Sequence, residues 1–220
     1  GFFRRGCPLP RCDACQNRAL CLCQHGGMQM KLDFQWQMLK WRAVTWIVLG
    51  NKRRAIETFE EMLQTYPDDS YALGSLAHLK AEIGDQSGAI EVYRILVRRP
   101  DAPAYAWYNL GFMLQERDQT DEAERCFRQA LAKNEKLDQA WYGLGLTLIQ
   151  QRRFEEAIEA LKRNTQLQPM SPYAWYQLAR VHVDRQEPEE AVKIIRHLKG
   201  FEPKFAAQLE RETGLEVKAS

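Results

Sequence analysis

The residues most able to do chemistry crowd into the first thirty positions of this 220-residue chain, where five of its six cysteines lie with a histidine close behind. Cys12-x-x-Cys15 and Cys21-x-Cys23-x-His25 offer thiolates and an imidazole to a tetrahedral zinc ion. The spacing fits poorly, because a zinc ribbon separates two C-x-x-C knuckles widely, whereas five residues part this knuckle from a C-x-C pair. Disulfides suit an oxidising compartment, which nothing else in the chain suggests. Composition supplies a third account: residues 1–30 draw 17 positions from Gly, Ala, Pro, Arg and Cys and hold no Ile, Val, Thr, Ser, Tyr, Trp, Glu or Lys. That is the composition of translated GC-rich DNA, and Gly26-Gly27 can be encoded by a ribosome-binding sequence of bacterial type. The expected start of the protein is therefore Met30 or Met28. A metal-binding leader built on Cys12, Cys15, Cys21, Cys23 and His25, or an unstructured tail, remains the alternative.

Elsewhere the reactive types are dispersed. His78, His182 and His197 fall on separate segments without a cysteine at ligand spacing, so each is expected to be satisfied locally or solvated. Cys126 precedes a phenylalanine and is expected to pack half-buried. "GLGLTL", Gly143 to Leu148, lacks the strand and third glycine that give a phosphate loop its meaning. No enzyme activity and no cofactor are expected. Charge excludes another class: residues 1–30 carry four Arg against one Asp, while 31–220 carry 27 Lys and Arg against 28 Asp and Glu. A balanced body does not displace counterions from phosphates, so nucleic acid is not an expected partner. The most apolar stretch, Trp36 to Gly50, is broken by Lys40 and Arg42, so no spanning helix is predicted and the expected location is cytoplasmic.

What could position binding residues is a repeat. Residues 106–131 align with 140–165 at an offset of 34, and Trp107, Trp141 and Trp175 obey it. Small residues recur at the same period as Ala43, Ala77, Gly111, Gly145 and Ala179, and again as Ala55, Ala89, Ala123, Ala157 and Ala191. A third column, Phe59, Tyr93, Phe127, Leu161 and Ile195, is always large and apolar. Apolar residues three and four apart over two stretches per period predict a pair of amphipathic helices. Helices approach to about 8 Å only where the facing side chains are small, which explains Gly and Ala at each crossing. Start signals are read at Ser171-Pro172 and at Thr120, expected to be a cap.

The columns Trp107-x-x-Leu110-Gly111, Ala123, Phe127 and Trp141-x-x-Leu144-Gly145, Ala157, Pro169 resemble the tetratricopeptide repeat. Leu39 and Leu73 replace the tryptophan in the first two repeats, and the family's tyrosine is missing from its usual place throughout. The resemblance implies an all-α, right-handed solenoid of five helix-turn-helix hairpins, near 36–69, 70–103, 104–137, 138–171 and 172–205. With a Cys-rich leader over 1–30, the repeat domain would cover 31–205 and a capping helix with its tail 206–220. It also implies a non-catalytic scaffold whose partner is a protein or peptide held on the concave face of the first helices. Carried over position by position, that face holds Tyr71, Tyr105 and Tyr173, then Tyr108, Tyr142 and Tyr176. Trp41, His78, Asn109, Phe112, Gln177 and Arg180 fall between them. Of the clamp with which some members grip chaperone tails, only Asn109 is matched, so that partner is not expected. Phe34, Trp36, Trp41, Trp46 and Ile47 make the first helix unusually apolar, which makes a peripheral membrane assembly factor one alternative; a metal- or redox-responsive regulator using the Cys-rich leader is the other. A membrane partner is not the expectation, and oligomeric state is not legible.

Overall fold

The computed structural model describes the backbone of residues 18–217 and the side chains of 33–217, and it forms two compact units that divide after Pro67. The first unit is a hairpin of α1 (Arg18–Val48) and α2 (Lys52–Thr65). Helix α1 begins at Arg18 and runs through Met28 and Met30 without a break. Cys12 and Cys15 lie outside the described residues, and the side chains of Cys21, Cys23 and His25 lie outside those described, so the metal set stays untested. Phe34, Met38, Trp41 and Val48 are exposed on α1, while Leu39 and Ala43 are buried against α2.

The second unit holds four hairpins, α3 (Ser70–Glu82) with α4 (Gln86–Val97), α5 (Ala104–Gln115) with α6 (Thr120–Lys133), α7 (Asp138–Gln150) with α8 (Phe154–Leu167), and α9 (Pro172–Asp184) with α10 (Pro188–Phe201). Helix α11 (Pro203–Thr213) packs on α10 and α9 as a cap. Every described residue in a regular element is helical, and within this unit α4, α6 and α8 each pack on the first helix that follows. This unit is an α-solenoid.

The three sequence columns are its packing contacts. Ala55, Ala89, Ala123, Ala157 and Ala191 are all 0% exposed, as are Phe59, Phe127, Leu161 and Ile195. A β-carbon placed on Gly143 would sit 2.6 Å from the Phe127 ring, and one on Gly145 would sit 2.8 Å from Leu161. Those distances leave no room for a methyl, so the glycines are where the large column residue fits. Where the family has its tyrosine, the chain places Leu114, Leu148 and His182, all buried. His182 meets this position by pairing its Nδ1 with Glu187 at 2.8 Å.

A further column sits in the turns inside the hairpins. Gly50, Gly84, Asp118, Arg152 and Gln186 all have φ between 58° and 86°, at the repeat spacing of 34. Only glycine occupies that left-handed region without strain, and only two of the five are glycine. Start signals were partly misplaced. Asn51, Asp69 and Asp85 accept from backbone N–H groups of α2, α3 and α4, but α6 begins at Thr120 itself with Gln119 as its cap, and Ser171 makes no capping hydrogen bond. Cys126 is 2% exposed, so it is a full core residue and not half-buried.

The turn column gives a test free of packing, because nothing lies within 4 Å of a β-carbon built on Gly84. Gly84→Ala should destabilise by about 1 kcal/mol, whereas Arg152→Gly should be neutral or stabilising by up to about 1 kcal/mol. Urea melts of the two variants check the opposite signs.

Candidate functional site

The first helices α5, α7 and α9 touch in succession, so they line one face of the second unit. A groove of about 290 Å3 opens there, walled by Tyr108 and Phe112 of α5, Tyr142 and Leu146 of α7, and Tyr173 of α9. Its shape follows from a glycine outside the small-residue columns, at a position where the repeats on either side carry Asn109 and Gln177. Gly143 lines the groove, and beneath it lies the Phe127 ring, whose centroid is 6.2 Å from that of Tyr108. The core residue that closes the α5–α6 hairpin thus also supports the groove floor.

Burial pushes the Tyr108 hydroxyl above the usual tyrosine value, helped by the Asp138 carboxylate nearby. Burial does the same for Tyr142, against a hydrogen bond from Gln177 that works in the opposite direction. Both hydroxyls therefore stay protonated near neutral pH and can donate. The rim is polar: Gln115, Gln139, Gln168 and Ser171 supply amides and a hydroxyl, and Asp138 the one carboxylate. Rigid aromatic walls with side-chain amides at the edge can hold an apolar side chain while hydrogen-bonding its peptide backbone.

Of the residues expected on this face, Tyr108, Phe112, Tyr142 and Tyr173 meet at the groove, and Gln177 supports it through Tyr142. Tyr105 is half-exposed, and its hydroxyl lies over Gly74, where a β-carbon would come within 2.5 Å. Tyr71 is exposed on α3, and His78 stands 3.5 Å from Glu82 one turn along the same helix. Tyr176 is occupied by the cap: its hydroxyl donates to Glu212, and Phe205 stands edge-on to its ring and to that of Tyr173. Arg180 lies 5.9 Å from the centre of the Tyr176 ring. Trp41 belongs to the first unit and is exposed there.

Asn109 has a structural task that its position did not suggest. Its amide donates at 2.9 Å to the hydroxyl of Tyr93, which is 1% exposed and the only tyrosine in the large apolar column. Asn164, which sequence reasoning passed over, lines the groove and donates to the Asp138 carbonyl at 2.7 Å. A signal was available, because one and more repeats away the same column reads Met62, Leu96, Ala130 and Leu198, all wholly buried. Gln115, Gln139, Gln168 and Ser171 carried no such signal.

This arrangement of helical hairpins and a groove defines a helical-repeat protein. A family model described as the middle TPR-like domain of cilia and flagella-associated protein 70 matches residues 73–199, more than half of the 220 residues, and a tetratricopeptide-repeat model matches 39–69. The chain belongs to the tetratricopeptide-repeat family. Among solved structures, MamA is 22% identical with a TM-score of 0.70, covering 84% of this chain and 97% of that one. YrrB, described as a TPR protein with an unusual peptide-binding site, is 17% identical with a TM-score of 0.70 over 77% of this chain and 88% of its own. A tetratricopeptide repeat protein from Parabacteroides merdae is 18% identical with a TM-score of 0.71, over 81% and 73% of the respective chains. No curated protein matches the chain.

The Tyr93 contact yields a cycle. Asn109→Ala should cost about 1–3 kcal/mol by leaving a buried hydroxyl unpaired, and should cost much less in a Tyr93→Phe background. Chemical denaturation of the four proteins measures the coupling. Burial pushes the Cys126 thiol up to about 12. Iodoacetamide at pH 8 should therefore leave Cys126 unmodified in the folded chain and label it after unfolding, as read by peptide mass mapping.

Proposed function

We propose that this chain is a non-catalytic scaffold that binds an extended segment of a partner protein in the groove of α5, α7 and α9. The observation that carries the reading is the convergence of Tyr108, Phe112, Tyr142 and Tyr173 from three successive repeats on one cavity with a rim of amides. Tyrosine supplies large contact area with little side-chain entropy to lose, and its hydroxyl satisfies the polar groups of a bound backbone. The peptide-binding site ascribed to YrrB supports a peptide as the ligand class. Asp138, the single carboxylate at the rim, favours a segment with a Lys or Arg beside its apolar anchor. No helix of the described residues is long and apolar enough to cross a membrane.

Selection of a random peptide library on the immobilised full chain provides the test. Selected peptides should carry an apolar or aromatic residue next to a basic one. Tyr142→Ala with Tyr173→Ala should weaken them by roughly tenfold or more, since aromatic anchors each contribute about 2 kcal/mol. Circular dichroism should change little, and Tyr173→Ala alone should weaken binding with the melting curve in place, because Tyr173 is 59% exposed. Replacing the exposed pair Glu159 and Lys162 on α8 is the control. Peptides that depend on that pair and ignore the tyrosines would overturn the assignment.

A further inference from the structure

A second groove of the same unit, of about 620 Å3, lies between α4 and α6 and shares no lining residue with the first. Its floor includes Val97, Trp107, Leu110 and Cys126, and four arginines surround it, Arg94, Arg98, Arg125 and Arg128, with Glu122 as the lone acid. Two of the four are engaged. Arg94 meets Glu122 at 2.8 Å, and Arg128 meets Glu124 at 2.9 Å and Glu156 at 3.0 Å. The other two are not neutralised: Arg98 has no ion pair or side-chain hydrogen bond among the described residues, and Arg125 donates only to the Asp121 carbonyl of its own helix.

The arginine pair is not repeated at the next step. One period on, Arg98 becomes Ala132 and Arg125 becomes Glu159. The cause is local. In repeat register α6 and α8 end at equivalent residues, Lys133 and Leu167, but α4 stops two residues sooner at Val97, and the connection to α5 runs over 98–103. Trp107 records the change. Trp141 and Trp175 donate from Nε1 to the carbonyls of Glu135 and Pro169, at 2.8 and 2.9 Å, whereas the Trp107 Nε1 is the one buried side-chain N or O without a partner among the described residues. A shortened helix, two uncommitted guanidiniums and an unpaired indole N–H thus coincide at one apolar-floored groove.

We infer that this groove docks an acidic segment of a partner protein, with carboxylates on Arg98 and Arg125 and an aliphatic side chain on the floor between them. Guanidinium pairs with carboxylate in a fixed bidentate geometry, and an apolar floor excludes the water that would screen the pair. A polyphosphate fits less well, because Glu122, Glu124 and Glu156 stand among the arginines and the body of the chain carries as many acids as bases to within one charge. The site is separate from the tyrosine groove, so one scaffold can hold two segments.

The test uses the full chain and a fluorescent peptide of Glu and Asp with two central leucines, beside its Lys-substituted twin. The acidic peptide should bind with an affinity that falls as salt rises, and the basic twin should not bind. Arg98→Glu with Arg125→Glu should weaken it by about tenfold or more, and Arg98→Gln with Arg125→Gln by less, the exposed positions leaving the melting curve unchanged. Tyr142→Ala should have no effect. In a nitrogen-labelled sample the Trp107 indole N–H resonance should move on binding while those of Trp141 and Trp175 stay. Failure of the acidic peptide to bind, equal binding by the charge-reversed variant, or displacement by single-stranded RNA at lower concentration than by the acidic peptide itself would each overturn the inference.

Discussion

Two helices of this protein can lie close only where one side of the contact is a glycine or alanine, and that constraint organises everything above it. Each hairpin meets the requirement with a small residue on both helices and fills the adjoining space with one large apolar side chain. The arrangement transmits outward. Phe127 packs under Gly111 and Gly143, so the ring that closes one hairpin sets how near the next may come. Because Gly143 also lines the tyrosine groove, core packing and the groove share an atom-level contact. A solenoid built this way accumulates identical steps, and its specific features arise where a step departs from the pattern.

The departures are chemical rather than architectural. Tyr93 replaces a hydrocarbon in the large column and requires Asn109 to satisfy it; Asn164 enters an apolar column and ties the start of α7 to α8. His182 stands in for a core tyrosine and holds Glu187. Polar pairs also join successive repeats along their edge. Arg153 bridges Glu124 and Glu156 at 2.7 and 2.6 Å, and Arg94 reaches Glu122. Burial raises the Glu124 carboxyl, but its hydrogen bonds to Arg128, Arg153 and Gln151 outweigh this and hold it below the usual carboxylate range. A lowered folded value means that this network stabilises the protein above the unfolded carboxylate value and loses that contribution as pH falls through the folded one.

Much of this was legible because it is periodic. Ala123, Gly145 and Leu161 announce their places through their equivalents one repeat away, and so do Tyr108 and Tyr142, whereas the equivalent of Tyr173 one repeat back is Gln139. The αL column was half hidden, since Arg152 and Gln186 occupy a conformation that sequence attributes to glycine and the turn geometry forces it on them. The bond from Asn109 to Tyr93 was hidden because its partner comes from the preceding repeat's second helix, a contact that no single-helix pattern displays. The early end of α4 was invisible for a similar reason: nothing in the sequence distinguishes Arg98 from Arg99, yet Arg99 pairs with Asp68, Ser70 and Asp101 while Arg98 does not. Composition marks off residues 1–30, and composition carries no helical period, so the extension of α1 back to Arg18 has no counterpart in the sequence pattern.

The claim that tyrosines from successive repeats form the partner site is tested most directly by following their rings. Of the chain's eight tyrosines, Tyr93 is buried and paired with Asn109, Tyr176 is covered by α11, and Tyr108, Tyr142 and Tyr173 face the groove. In the full chain carbon-labelled at tyrosine, titration with a library-selected peptide should shift the ring resonances of Tyr108, Tyr142 and Tyr173 together, saturating at one equivalent, and leave Tyr93 in place. Saturable binding with those three resonances unmoved would contradict the account.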